Sequence, residues 1–265
     1  MNPIFWLELR TRIAEKKLWL IALLFIVMMW VGILIPTSLF GNRSYQVPGE
    51  TGSIMQGFIL VLHAGLMALL GGISAASRIS QEREQRTIAP LLNSPVSRLS
   101  IIFGKLFGSW IFLIWISCLT LPFLAVTALW GGFSAGTMIK IFISNTVLSL
   151  LLSAMALASS AQTGRTLTSY LFLGLVVFGW SCILPLLYLT QIAGNRTNSL
   201  DEYAFLFHNP LFPIIYLFSK NEMSWMQEVG GKLPLDPLLY CYLIWFFIGG
   251  LSILLARFAI SKENV

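Results

Sequence analysis

The chain has 265 residues, of which 57% are hydrophobic and only 11% are charged, with a formal net charge of +6. A soluble domain carries about 25% charged residues and wets its whole surface with them. A chain this poor in charge cannot, so the composition excludes a soluble fold and points to an integral membrane protein. It also excludes a nucleic-acid binder, which needs a basic face interleaved with aromatics outside the bilayer.

Residues 1–17 predict a short helix at the inner membrane interface. Phe5, Leu9 and Ile13 repeat at four-residue spacing with Trp6 beside them, while Glu8, Thr11 and Glu15 fall on the other side. A membrane span needs about 20 mostly apolar residues. Six stretches qualify, at 18–38, 54–77, 99–130, 138–161, 167–189 and 238–257, which predicts an all-α membrane fold of six transmembrane helices in one domain. The third stretch exceeds one crossing, and Pro122 predicts a kink there with the tail along the outer interface. Residues 190–235 form the longest loop. Its apolar part, 204–218, is interrupted by Pro210 and Pro213 and predicts short re-entrant or surface-lying helices before the last span.

Six spans leave both termini on one side. That side carries 12 of the Lys and Arg residues and the other side 5, so the positive-inside rule makes the termini cytoplasmic. Small residues cluster where helices would touch. Gly104 and Gly108 open the third span, and Ser149, Ser153, Ala154, Ala156, Ala158 and Ser160 line the fourth. Such faces serve either packing within the chain or a dimer contact.

The chemistry is sparse. Cys118, Cys182 and Cys241 sit in apolar runs without metal-ligand spacing and read as core residues, so no metal site is expected. The span interiors hold no Asp or Glu. His63 is the one titratable side chain well inside, and it reads either as a hydrogen-bonded helix contact or as part of a translocation path. Lys105, Lys140, Asp236 and Arg257 lie at span ends, where long side chains can snorkel to water. There is no H-E-x-x-H, no G-x-S-x-G and no pair of carboxylates within a span, so no catalytic residue is expected and the chain is not expected to be an enzyme. Without a G-x-x-x-x-G-K-[ST] loop it cannot bind ATP in that way, and any ATP it uses must be held by another polypeptide.

One segment breaks the pattern. Residues 78–98, between the second and third spans, read RISQEREQRTIAPLLNSPVSR. Arg78, Glu82 and Arg86 fall on one helical face with alternating sign. Ile88, Leu91 and Leu92 form an apolar patch. Ser94 and Pro95 predict the cap and first residue of the next helix. A projecting piece with a charged rim and an apolar patch suits docking on a cytoplasmic protein; the other reading is a solvated loop that obeys the positive-inside rule.

The run Glu82-Arg83-Glu84-Gln85-Arg86-Thr87-Ile88-Ala89-Pro90-Leu91-Leu92-Asn93-Ser94-Pro95-Val96-Ser97-Arg98, followed by Gly104-Lys105, resembles ABC-2-type transporter permeases. A Glu-Arg pair precedes Thr and Leu-Leu, then come Ser/Thr-Pro, a small residue, Arg, and the Gly-Lys that opens the third helix. Asn2-Pro3-Ile4-Phe5 with Glu8-Leu9-Arg10, and Leu121-Pro122-Phe123 through Gly131-Gly132, add to the resemblance. Where the family usually places Gly before Thr, this chain has Arg86. The nearest subgroup in these features is the six-span, single-domain type, similar to multi-copper enzyme and nitrous oxide reductase maturation permeases.

The resemblance implies a type V permease fold with an N-terminal interfacial helix and a cytoplasmic coupling helix between the second and third spans. It implies a second permease chain, as a homodimer in membrane lipid, and a cytoplasmic ABC ATPase dimer that binds ATP and Mg. Glu82, Arg83, Glu84, Arg86, Thr87, Ile88, Leu91, Pro95 and Arg98 would then contact the ATPase. The expected place is the bacterial inner membrane. The expected function is ATP-coupled export, or else mechanical coupling or cofactor maturation on a periplasmic partner without bulk cargo.

Overall fold

A chain immersed in hydrocarbon must satisfy its backbone hydrogen bonds internally, and helices do so within one segment. The computed structural model follows that rule: its regular elements are helical, with no strand among the described residues, which are 3–14, 16–40, 48–131, 134–180, 212, 216 and 236–262. In chain order these are α1 (Pro3–Ala14), α2 (Lys16–Phe40), α3 (Pro48–Ala76), α4 (Ser80–Glu84), α5 (Ile88–Leu92), α6 (Arg98–Cys118), α7 (Leu121–Ala128), α8 (Ala135–Gln162), α9 (Thr166–Phe178) and α10 (Pro237–Ser261).

Five described runs are long and apolar enough to cross a membrane: Trp19–Ser38, Gly52–Glu84, Arg98–Ala128, Ala135–Gln162 and Pro237–Ser261. In the stretch expected to be the fifth span, 167–189, the 13-residue helix α9 is described. Residues 181–189 lie outside the described residues. So does the 190–235 loop with its expected re-entrant helices, apart from Phe212 and Tyr216.

The irregularity expected at Pro122 comes slightly earlier, as a two-residue turn between α6 and α7 within one apolar run. Helix α6 ends at Cys118, and Leu119 and Thr120 turn with short bonds from their N–H groups to the carbonyls of Ile116 and Ser117, both 3.0 Å. Pro122 sits in the first turn of α7. Its missing N–H leaves the Cys118 carbonyl without a helical donor, and its ring crowds that carbonyl, so the helix stops a turn ahead of the proline.

The chain divides into two compact units. The first comprises Met1–Ala75 and Pro95–Ser153, the second Ala76–Ser94 and Ala154–Val265. In the first unit α1 lies on α6. Gly108 permits the contact, since a Cβ there would meet Glu8 Cβ at 2.8 Å. The same unit brings α3 against α8 at Gly71, whose carbonyl accepts a hydrogen bond from Ser153 Oγ at 3.2 Å. A Cβ on Gly71 would stand 3.0 Å from the Ser149 carbonyl oxygen. Both small-residue faces thus serve packing within the chain. In the second unit α10 buries Cys241, Trp245, Ala256 and Ile260.

Helix α1 turns the face that carries Ile4 and Glu8 inward, while Trp6 and Leu7 are 50% and 65% exposed. The reason lies in α6. Lys105 does not snorkel; it is 4% exposed, and its Nζ stands 3.6 Å from Glu8 Oε1. For a helix on the rim of a membrane protein the outward side is the apolar one, so the carboxylate goes inward to the ammonium that neutralises it.

Candidate functional site

The charged segment folds as two single-turn helices, α4 and α5, in the second unit. A five-residue helix gains too few hydrogen bonds to offset its nucleation cost and is held from outside. Ile79 stands at the N-cap of α4 and offers no side-chain cap. Ser160, near the end of α8, supplies one instead. Its Oγ accepts hydrogen bonds from the backbone N–H of Ile79 at 3.0 Å and of Ser80 at 2.9 Å.

The favour is returned at the same end of α8. Helical carbonyls in a last turn lack donors, and no basic residue of α8 itself is there to serve them. Arg83 fills the gap with a fork, Nη2 to the Ala161 carbonyl at 2.6 Å and Nη1 to the Thr163 carbonyl at 2.7 Å. A cation at this end also opposes the helix dipole favourably. Next along the chain, α9 starts at Thr166 behind an N-cap, Arg165, whose side chain makes no capping bond. Glu84 takes that role: Oε1 accepts the Thr166 N–H at 2.8 Å and Oε2 the Thr166 hydroxyl at 2.9 Å.

The run Gly52–Glu84 has 33 residues. At 1.5 Å per residue it is about 50 Å long against a hydrocarbon core of about 30 Å. Its charged end therefore stands outside the bilayer. There the backbone hydrogen bond from Thr166, followed by the hydroxyl bond, holds the Glu84 carboxyl below its ordinary 4.5, against a smaller opposing desolvation. A carboxyl held low stabilises the fold fully above about pH 4.5 and loses that contribution as pH falls through its folded value. Glu84→Gln is accordingly expected to lower the melting temperature at pH 7, and the gap to the wild type should close on acidification toward pH 3. Melting curves of both proteins across that range check it, and a gap that stays constant would refute the carboxylate cap.

Helix α4 ends in a Schellman motif. The Arg86 N–H bonds the Arg83 carbonyl at 3.1 Å and the Thr87 N–H bonds the Glu82 carbonyl at 2.8 Å. Such an ending requires the residue after the cap to take the left-handed conformation, which glycine adopts freely. Arg86 occupies it with φ 58°. Arg86 and Thr87 are exposed, Glu82 is partly buried, and Ile88 and Leu91 are half-buried on α5.

The residues expected to contact an ATPase therefore divide. Arg83 and Glu84 are spent on the chain's own α8–α9 turn, while Arg86, Thr87, Ile88 and Leu91 remain on the surface of α4–α5. Pro95 and Arg98 are exposed and belong to the first unit. The helix start expected at Ser94–Pro95 comes later. Ser94 Oγ donates to the Leu91 carbonyl at 2.6 Å, whereas Ser97, at φ −64° and ψ 145°, accepts the Ser100 N–H at 3.2 Å and caps α6. A Ser whose hydroxyl closes the preceding turn is not free to cap the next helix.

His63, the other residue singled out in the sequence, is fully buried in the first unit. The Asn145 amide approaches Nδ1 at 2.8 Å and Ser117 Oγ approaches Nε2 at 2.8 Å. With the Asn145 Nδ2 donating, Nε2 carries the ring proton and donates it to Ser117. The ring stacks on Phe142 at 5.7 Å and meets Phe25 edge-on at 6.2 Å. The arrangement clips α3, α6 and α8 together by a neutral polar contact.

The long-range caps of Ser160 and Arg83 within the chain escape a reading of the sequence, though a faint signal exists. The turn Thr163-Gly164-Arg165 joins two apolar helices with neither a capping side chain before Thr166 nor a basic residue in the last turn of α8.

No curated protein matches the chain at a significant level. A family model described as ABC-2 family transporter protein matches residues 2–229, from α1 through the charged segment and beyond α9. That match covers most of the polypeptide, and its apolar helices are those of a membrane transport component: the chain belongs to the ABC-2 family of transporter proteins.

Proposed function

We propose that this chain is the transmembrane permease subunit of an ABC exporter, driven by a separate cytoplasmic ATPase and paired with a second copy of itself. Family membership implies the ABC ATPase partner. Export, homodimerisation, a sixth span completed beyond α9, both termini in the cytoplasm of a bacterial inner membrane, and the likeness to maturation permeases belong to this reading. It is supported by the lack of acidic residues in the span interiors, which leaves no ion-coupling carboxylate and suits energy delivered mechanically.

The observation that carries the reading is the reciprocal capping of α4, α8 and α9. A push on the exposed α4–α5 surface passes through Arg83 and Glu84 directly to the end of one apolar helix and the start of the next. A solvated loop gains nothing from such anchorage. Leu91, half-buried on that surface, gives the test. With the native cysteines replaced, Leu91→Cys should cross-link to the cognate ATPase in the nucleotide-free assembly, and the link should block ATP-driven turnover. A cysteine there that reacts freely with a water-soluble maleimide in the full assembly, and never links to the ATPase, would overturn the reading.

A further inference from the structure

Arg86 stands out in the segment for two independent reasons. It holds a left-handed backbone, φ 58°, at the position of the α4 terminus that glycine serves without strain. Its side chain is exposed and makes no hydrogen bond or ion pair among the described residues, whereas the nearby Arg83 and Glu84 are both used within the chain. An exposed arginine with no side-chain partner among the described residues, at a left-handed position that most side chains occupy at a cost, points to a contact with something else.

Resting on the proposed ATPase partnership, we infer that Arg86 is the ionic anchor of the docking surface and pairs with a carboxylate in the ATPase groove that receives α5. The geometry fits one directed contact. The Schellman turn fixes the backbone of Arg86, and α5 with its half-buried Ile88 and Leu91 begins two residues later, so the exposed cation and the apolar residues belong to one stretch of surface. A planar guanidinium pairs with a carboxylate through two parallel hydrogen bonds, and the pairing depends on where the arginine stands. Attraction to anionic headgroups adds charge by charge and does not depend on a particular backbone position. It gives no reason to place the charge at a strained one, which favours a protein groove over a lipid surface as the partner.

The test uses the full chain in nanodiscs, titrated with the cognate ATPase. Arg86→Gly and Arg86→Asn both suit a left-handed position and remove the charge. Both should melt at or above the wild-type temperature and bind the ATPase about tenfold or more weakly. Arg86→Lys, which keeps the charge without the fork, should fall between. Wild-type affinity should drop with added salt more steeply than that of Arg86→Asn. Arg86→Gly and Arg86→Asn binding within twofold of the wild type would overturn the anchor while leaving the docking reading intact. A wild type that does not bind the ATPase at all would overturn both. An effect of the substitutions seen only in nanodiscs containing anionic lipid, and absent in neutral ones, would assign Arg86 to headgroups and overturn the proposal.

Discussion

Lys105→Met is expected to destabilise the protein by about 3–5 kcal/mol, a fall on the order of 10 °C in melting temperature. The ammonium stands 3.6 Å from Glu8 Oε1, with the two side chains only 5% and 10% exposed. Met roughly preserves the volume but removes this counter-charge from a buried carboxylate, and breaking a buried pair by taking out one partner costs far more than the pair contributes when intact. The same logic predicts a rescue. Glu8→Leu combined with Lys105→Met should recover most of the loss, because an apolar pair of similar volume is tolerated where an ion pair was buried. Melting of the single and double variants in the same detergent checks both statements. A single variant within about 1 kcal/mol of the wild type, or a double variant no better than the single, would show that α1 is not held to α6 by charge.

Arg83→Met should separate binding from work. It removes two hydrogen bonds from a cation to the Ala161 and Thr163 carbonyls, at 2.6 and 2.7 Å. Charge-assisted bonds contribute about 1.5–3 kcal/mol each when buried. Arg83 is partly exposed, so the pair together is expected to contribute about 2–3 kcal/mol. The larger effect is functional. With the fork gone, a push on α4 no longer reaches the end of α8, so ATP-coupled activity should fall by an order of magnitude or more while ATPase binding stays within about twofold. Arg83→Lys should restore little, since one ammonium cannot reproduce a planar fork to two carbonyls. If Arg83→Met instead weakens ATPase binding in proportion to the lost activity, Arg83 is a docking contact, as the family resemblance suggested, and the transmission role is wrong.

What the sequence revealed depended on how local the governing physics is. The long apolar runs are legible as membrane helices because lipid imposes one solution on such a run, and five of them stand in the structure as helices of sufficient length. The burial of Glu8 is not legible in the sequence, because a helical pattern tells which residues share a face but not which face meets protein. In water the polar side faces out; at the rim of a membrane protein the lipid is outside and Lys105 is within. Ser94 satisfies the local rule for a cap, but so does Ser97, and the Leu91 carbonyl that Ser94 already serves leaves the role to Ser97. The roles of Arg83 and Glu84 were least legible of all. Their partners lie 78 to 82 positions away in the chain, and a neighbour chosen by folding leaves no periodicity behind. Arg86 is the converse case. The expectation of glycine at that place came from a resemblance, and the left-handed backbone supplies its physical reason.

The borrowed caps also impose an order of events during synthesis. Ser80 leaves the ribosome 80 residues before Ser160, and Glu84 leaves 82 residues before Thr166. At roughly 5–20 residues per second, that is an interval of about 4–16 seconds. Throughout it α4 lacks the Ser160 hydroxyl that caps its first N–H groups, and a five-residue helix without outside support does not persist. On the proposed docking, the nascent chain therefore presents no finished surface to an ATPase until its fourth apolar helix is complete and the next has begun.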